Sequence, residues 1–439
     1  MIALKNATAI QLDPPRVKEG IDIVVDGGTI VDVGIGISRH YRHAKTLSLA
    51  GKYVSPGIVC SHNHFYSALA RGILARLKPS KNFVEILQHL WWKLDRALDE
   101  ESLYYSGLVG ALDAVKAGTT AVVDHNASPA FINGSLTTLK DGFEKVGLRG
   151  ILCYEVTDRN GRAGMFEGIE ESVSFCAQVS KESRKEGRLI EAAIGAHAPF
   201  TLSDHSMKLL AEAVEATGRG IHIHVAEDLY DVTHSRKHYR KDPVARLDGF
   251  GLLNNKSILV HGIHLSDGDI DRINKHDAFL AHNPRSNMNN GVGAMRKLKR
   301  VRNVVLGTDG IGADMFEEAK FAFFKNNDLK GPLGPNDIAR FLQNGNELLG
   351  RYFQQSFGRI EKGYAADLVV YDYRPPTPLT AKNVAGHLLF GLSSRDVETV
   401  IVNGSIVYED RQFPFEVETL YKEARRAAQR LWKKMDSLR

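Results

Sequence analysis

Cysteine is scarce: Cys60, Cys153 and Cys176 are the only three, and they are scattered along the chain. An odd, dispersed set excludes a disulfide framework and fits a reducing compartment. No charge sign is in large excess. The 57 Lys and Arg against 52 Asp and Glu leave a formal charge of +5, with basic and acidic residues interspersed. That balance argues against nucleic acid or an anionic membrane as a partner. No apolar run approaches the roughly 20 residues that span a bilayer. The opening Met1-Ile2-Ala3-Leu4-Lys5-Asn6 lacks a signal-peptide core. No glycine-rich strand-to-helix loop appears, so phosphate-loop and dinucleotide readings have no support. The expectation is a cytoplasmic protein that acts on small molecules. The rest of the composition is ordinary for a globular chain. Hydrophobic residues make up 43% and charged residues 25% of 439 positions, enough for one large domain or two smaller ones.

Both ends of the chain read as β-structure. Ile21-Asp22-Ile23-Val24-Val25, then Asp26-Gly27-Gly28, then Thr29-Ile30-Val31-Asp32-Val33 carries a hairpin signature. Far along the chain, Ala366 to Asp372 and Val397 to Val402 are strand-like, and Asn403-Gly404 turns into Ser405-Ile406-Val407-Tyr408. Residues 1–55 and 360–415 are expected to form one composite β-sandwich, and 416–439 a C-terminal surface helix. The middle, 56–359, alternates strand and helix. The strand candidates are Tyr53–His64, Thr119–His125, Arg149–Asp158, Glu191–Ala198, Gly220–Glu227, Ser257–Gly262, Asp277–Asn283 and Val304–Gly310. Eight β-then-α units imply parallel strands and a TIM-like (β/α)8 barrel, with a doubly wound open sheet as the alternative.

The polar residues gather where chemistry gathers in such a barrel, at the C-terminal strand ends. The candidates end in His62 and His64; Asp124-His125; His197; His222, His224 and Glu227; His261; His282-Asn283; and Asp309. Histidines two apart on a strand point both imidazoles to one face. His62, His64 and His224 can supply three nitrogens and Asp309 a hard oxygen to one divalent metal. A water held in the remaining position becomes a usable nucleophile near neutral pH. Glu227, three residues after His224, is placed to move protons, and His261 to orient the water. Zinc is the default ion; iron and manganese suit the same donors.

These motifs, His62-Asn63-His64, His224-Val225-Ala226-Glu227, Val260-His261-Gly262 and Gly307-Thr308-Asp309-Gly310, resemble those of the amidohydrolase superfamily. The likeness is to its branch of mononuclear metal-dependent deaminases and chlorohydrolases of N-heterocycles. Asn283-Pro284-Arg285-Ser286-Asn287 and Gly363 to Leu368 are similar to later passages of that branch. Cys60–Phe65, Trp91–Ser106 and Asp309–Phe324 resemble the SsnA-type aminohydrolases in particular, a group that is itself named by similarity. The resemblance implies hydrolytic deamination of an amino-substituted heterocycle such as a purine, pyrimidine, pterin or triazine. In it His62, His64, His224 and Asp309 hold the metal, Glu227 protonates the ring nitrogen, His261 orients water, and Asp309 shuttles a proton as ammonia leaves. It also implies a homo-oligomer.

The substrate side is less regular. His197, His125, Asp95, Trp92, Arg159 and Arg285 are the candidate contacts, with Trp91 or Trp92 able to stack on a flat ring. The place of the glutamate by which related nucleoside deaminases grip their substrate falls to Asp95, one methylene shorter. Their arginines after the third strand are replaced by Tyr154 and Glu155. Both departures argue against adenosine-like substrates. A binuclear cyclic-amide hydrolase ranks lower, because strand four ends Gly195-Ala196-His197-Ala198 without the lysine that class uses. A dechlorinating hydrolase of the same superfamily and a non-catalytic metal-binding relative are also compatible with these residues.

Overall fold

The structure is a computed structural model that describes residues 1–182 and 187–438. Nine parallel strands carry the middle of the chain in two sheets. One orders Ile58–Asn63, Thr119–Asn126, Arg149–Tyr154 and Ile190–Ala192; the other runs from Ile194–Ala196 through Ile221–Val225, Ile258–His261 and Phe279–His282 to Asn303–Leu306. The ladders do not run continuously from one sheet to the other. Single parallel bridges join them at both seams, Val156 to Ala196 on one side and Asn63 to Asp309 on the other. The expected α/β architecture with an additional β-region is therefore present, with two seams where an uninterrupted barrel was expected.

Two strand candidates are divided. Ile190–Ala192 and Ile194–Ala196 belong to different sheets, with Ala193 between them. Tyr53–Pro56 leaves the parallel strands and pairs with Ile2–Leu12 and Leu368–Tyr371 instead. Gly57 makes that switch possible, since a Cβ there would lie 2.3 Å from Thr120 Oγ1.

The parallel strands are buried on both faces, which explains their nearly continuous Val, Ile, Leu and Ala runs. Successive residues enter different clusters. Val59, Ala121, Val123, Ile151, Val260, Ala281 and Val305 pack with Leu348, Leu349 and Tyr352 in one cluster. Cys60, Val122, Leu152, Leu259, Leu280 and Leu306 join the larger cluster shared with the helices. Period-two alternation thus sorts the strands into an inner and an outer face.

The two chain ends form one eight-stranded mixed sheet. This differs from the two separate layers of the expected sandwich. Ile2–Leu12 pairs along its length with Pro15–Asp26, Lys45–Ser48 and Tyr53–Pro56, with register shifts that bend it. One long bent strand lets the sheet curve over its own core without a second set of ladders. Its core, including Leu4, Ile23, Val54, Leu368 and Ile401, is separate from the other clusters. Buried Arg149 makes paired hydrogen bonds to Asp367 at 2.7 and 3.0 Å, tying the parallel strands to this sheet. The helix Glu418–Ser437 packs against Glu100–Lys116. Among the described residues no helix is long and apolar enough to cross a membrane.

Candidate active site

The C-terminal ends of the parallel strands converge on four histidine rings, His62, His64, His224 and His261, and two carboxylates, Asp309 and Glu227. His62 and His64 end the Ile58–Asn63 strand, and His224 lies on Ile221–Val225. His64 Nε2 lies 2.9 Å from Asp309 Oδ1 and 3.1 Å from His224 Nε2, and His62 Nε2 lies 3.4 Å from Asp309 Oδ1. Metal-competent atoms of His62, His224, His261 and Asp309 all fall within 4.8 Å of one another.

The other ring nitrogens are already committed. His64 Nδ1 donates to His125 O at 2.6 Å, and His224 Nδ1 donates to His197 O at 2.8 Å. Carbonyls only accept, so each ring, when neutral, presents a bare Nε2 lone pair to the same point. Without a cation there, and against the opposing effect of burial, Asp309 favours a proton on His64, pushing it up to about 9. Two lone pairs and a carboxylate facing each other repel unless a cation or shared protons lie between them. His62 Nδ1 lies 2.9 Å from His222 Nε2, and its buried Nε2 has no hydrogen-bond partner. Anchored Nδ1 atoms with free Nε2 atoms are what imidazoles need to ligate a metal. The residues present therefore fit a divalent ion.

The loop carrying Asp309 is held by its neighbours. Asn63 points away from the cluster and donates to Thr308 Oγ1 at 2.6 Å and Gly312 O at 2.7 Å. Thr308 N donates to His62 O at 2.9 Å. Gly307 allows this approach, because a Cβ there would lie 2.7 Å from His62 Cβ. Ala226, His261 and Asp309 all have positive φ, at 48°, 69° and 52°. Non-glycine residues in that region cost of order 1–3 kcal/mol each, and three of them at strand ends mark a site held under strain.

Glu227 and His261 face each other, with Oε2 and Nε2 3.5 Å apart. Burial pushes the Glu227 carboxyl up to about 7, with Asp309 adding to the rise and His261 opposing it. His261 Nδ1 donates to Asn287 Oδ1 at 2.8 Å, and Nε2 is buried without a partner. Burial opposes ionisation of Asp309, but the His62 and His64 rings facing its carboxylate hold it well below the usual carboxylate range. Ser286 Oγ donates to Asp309 Oδ2, and Asn290 Nδ2 to Glu227 Oε1 at 3.4 Å. Ser286, Asn287 and Asn290, all on or just after the short helix Pro284–Asn289, therefore brace three central residues. Ser286 and Asn287 fall within the Asn283–Asn287 motif, but nothing in the motif alone says what they touch.

The cavity above the cluster is lined by Trp91, Trp92, Asp95, His197, Phe200 and Tyr230, among others, and also by Glu155. Of the candidate contacts, Trp92, Asp95 and His197 are lining residues, whereas Arg159, His125 and Arg285 are not. The Arg159 guanidinium lies 4.5 Å from the Trp92 ring centre and donates to Glu155 Oε1 at 2.9 Å. His125 is wholly buried; its Nε2 lies within 3.2 Å of the carbonyls of Ala196 and His222. Arg285 is bound to Glu317 and Glu318. Burial pushes His197 down to about 3; its Nδ1 donates to Thr201 Oγ1 at 2.9 Å, leaving Nε2 as an acceptor. Burial pushes Asp95 up to about 7 despite Arg159 nearby.

The family model described as "Amidohydrolase family" matches residues 53–407. A 5-methylthioadenosine/S-adenosylhomocysteine deaminase of Thermococcus sibiricus is 30% identical over 415 residues, covering 92% of this chain and 93% of that protein. Among solved structures, an adenosine deaminase from Xanthomonas campestris with bound zinc superposes with a TM-score of 0.83 at 22% identity, covering 98% of each chain. The zinc complex of atrazine chlorohydrolase TrzN from Arthrobacter aurescens gives 0.81 at 19% identity, covering 98% of this chain and 100% of that one. The family match spans both the strands that carry the histidines and much of the terminal sheet, and the chain belongs to the amidohydrolase family.

Proposed function

We propose that this protein is a metal-dependent aminohydrolase that removes an amino group from an N-heterocycle as ammonia. The observation that carries this reading is the convergence of the His62, His64 and His224 Nε2 atoms on Asp309, beside a Glu227 carboxyl balanced near neutrality. One divalent ion, zinc by default and with iron and manganese compatible with these donors, supplies Lewis acidity when held by those four residues, and so acidifies water.

The chain's own groups account for the proton traffic. Glu227, with its carboxyl near 7, accepts a proton from the attacking water and delivers it to the ring nitrogen. His261 Nε2, left as an acceptor by the Nδ1 bond to Asn287, orients that water. Asp309 takes the water's second proton from the hydroxyl on the tetrahedral carbon and passes it to the departing amine as that carbon collapses to the carbonyl. Trp92 and His197 receive the flat ring, one by its face and the other by an unpaired nitrogen.

The substrate is a neutral or cationic ring without an acidic substituent. Asp95, Glu155, Asp228, Glu227, Asp231 and Asp309 line the cavity, and among the described residues no Lys or Arg does. Away from the metal, an anionic group would find no cationic side chain in the lining to pair with. 5-Methylthioadenosine, one of the two substrates in the name of the Thermococcus sibiricus relative, has no acidic group and meets this condition, whereas S-adenosylhomocysteine, the other, carries a carboxylate and does not. The likeness to that relative speaks for an adenosine-type ring despite the departures at Asp95, Tyr154 and Glu155. We also read the two parallel sheets as one (β/α)8 barrel across 56–359, with 1–55 and 360–415 as the composite β-domain and the C-terminal segment from 416 as a unit built on the Glu418–Ser437 helix, Arg439 lying outside the described residues. The bridges at both seams support that closure.

Ammonia release from aminopurines, aminopyrimidines, pterins and triazines tests the function, with metal-replete protein and His62→Ala as the blank. Release from one class and not from the blank is the expected result. Chloride release from halogenated rings without ammonia from any amine would move the protein to the dechlorinating reading.

A further inference from the structure

A second cavity, of about 210 Å³, is lined in part by Pro284 and Asn287 of the Pro284–Asn289 helix and shares no lining residue with the active-site cavity. Its charge is the reverse of the active-site cavity. Arg296, Lys299, Lys325 and Lys330 line it, and among the described residues no Asp or Glu does. Lys299 and Lys325 have acidic partners outside the lining, Asp337 at 3.5 Å and Asp328 at 2.8 Å. Arg296 and Lys330 are exposed and form no ion pair among the described residues.

The floor carries two buried polar groups whose bonding is incomplete. His282, 5% exposed, ends its strand facing this cavity, and its Nδ1 has no hydrogen-bond partner. Asn287, 1% exposed, uses Oδ1 to hold His261 and leaves Nδ2 without a partner. Buried polar groups without partners are rare, and an occupant that accepts hydrogen bonds satisfies both. Apart from Asn326, whose amide is bonded to the Leu333 backbone, the rest of the wall is largely apolar, with Met295, Leu298 and Leu333 among its residues. For scale, an apolar cavity of about 150 Å³ holds benzene.

We propose that this cavity is a separate binding site for a small anion carried on a ring-sized apolar body. The ring packs on Met295, Leu298 and Leu333. The anionic group is drawn by Arg296 and Lys330 and accepts hydrogen bonds from His282 and Asn287. No reading of the deaminase site requires it, and nothing in the proton traffic uses His282.

Calorimetry on the metal-loaded protein tests this with benzoate as the probe and benzamide as its neutral counterpart. Benzoate is expected to bind with one-to-one stoichiometry and benzamide at least tenfold more weakly. Arg296→Ala with Lys330→Ala, both exposed positions, should weaken benzoate at least tenfold and leave metal content unchanged. Benzoate binding that survives the double substitution and disappears in His62→Ala puts the anion on the active-site metal and overturns the proposal. Equal affinity for benzamide, or no binding of benzoate, overturns it as well.

Discussion

His64 Nε2 and His224 Nε2 lie 3.1 Å apart while the Nδ1 of each ring donates to a backbone carbonyl. Neither ring can turn away without breaking a buried hydrogen bond. The repulsion between the lone pairs is relieved when a cation sits between them. Chelation of the metal is therefore expected to lower the melting temperature, and restoring zinc to recover it. At a free ion concentration about a thousandfold above Kd, the stabilisation is about 4 kcal/mol. His224→Ala should abolish both the shift and the activity. A melting temperature indifferent to chelation would contradict the assignment.

Glu227 and His261 are separable from metal binding. Glu227→Gln keeps the shape of the side chain and removes its ability to exchange a proton. The expected loss in kcat is about 100- to 10,000-fold, with metal content unchanged by elemental analysis. Turnover within a few-fold of the parent protein would remove Glu227 from the proton path.

Asn63 braces the metal cluster from outside, through Thr308 and Gly312. Asn63→Ala leaves every ligand in place but frees the loop that carries Asp309. Metal affinity should fall by about 10- to 100-fold, the usual cost of losing a group that orients a ligand. Competition with a metal-binding dye measures it, and unchanged affinity would mean that the strand alone positions Asp309.

Asp95 gives a pH test away from the metal. Burial raises its carboxyl from the ordinary 3.8 to about 7, so between those values the folded chain holds a proton that the unfolded chain releases. Stability attributable to Asp95 is then fully present below about 4 and declines as pH rises towards 7. The slope is at most about 1.4 kcal/mol per pH unit. Urea unfolding of Asp95→Asn at pH 5 and pH 7.5 should show a smaller fall than the parent protein. An identical fall would place the proton elsewhere.

Arg149 and Asp367 form a fully buried pair, 218 residues apart, between the parallel strands and the terminal sheet. Asp367 Oδ1 also accepts from Asn403 N at 2.6 Å. Asp367→Ala strands a buried guanidinium and should cost about 3–5 kcal/mol, read as a lower urea midpoint. A change under about 1 kcal/mol would mean that water or Asn403 takes over the pairing.

Much of the site could be read from local pattern. The alternation Ile221-His222-Ile223-His224-Val225 places both histidines on one strand face whatever the rest of the chain does, because strand side chains repeat every two residues. His62, His64, Glu227, His261 and Asp309 were legible for the same reason: each sits at or just past the end of an apolar run. Arg159 was not legible. Its position five residues past a strand end suggests the cavity, yet the guanidinium is drawn behind the Trp92 ring by Glu155 and Asp95. Charges from separate segments decide that, and no local pattern encodes them. The same holds for Asn287, whose bond to His261 joins the ends of two neighbouring strands.

The sequence by itself determined the order of strands and helices, the faces the histidines occupy and the set of donors able to hold a metal. These follow from side-chain periodicity and residue chemistry, which act over a few positions. Only the tertiary structure decided that the fourth strand is divided between two sheets, that both chain ends share one bent sheet, and that an acidic cavity and a basic one both draw on residues 284–290. Those outcomes depend on distant segments meeting, where packing and charge act through space and not along the chain.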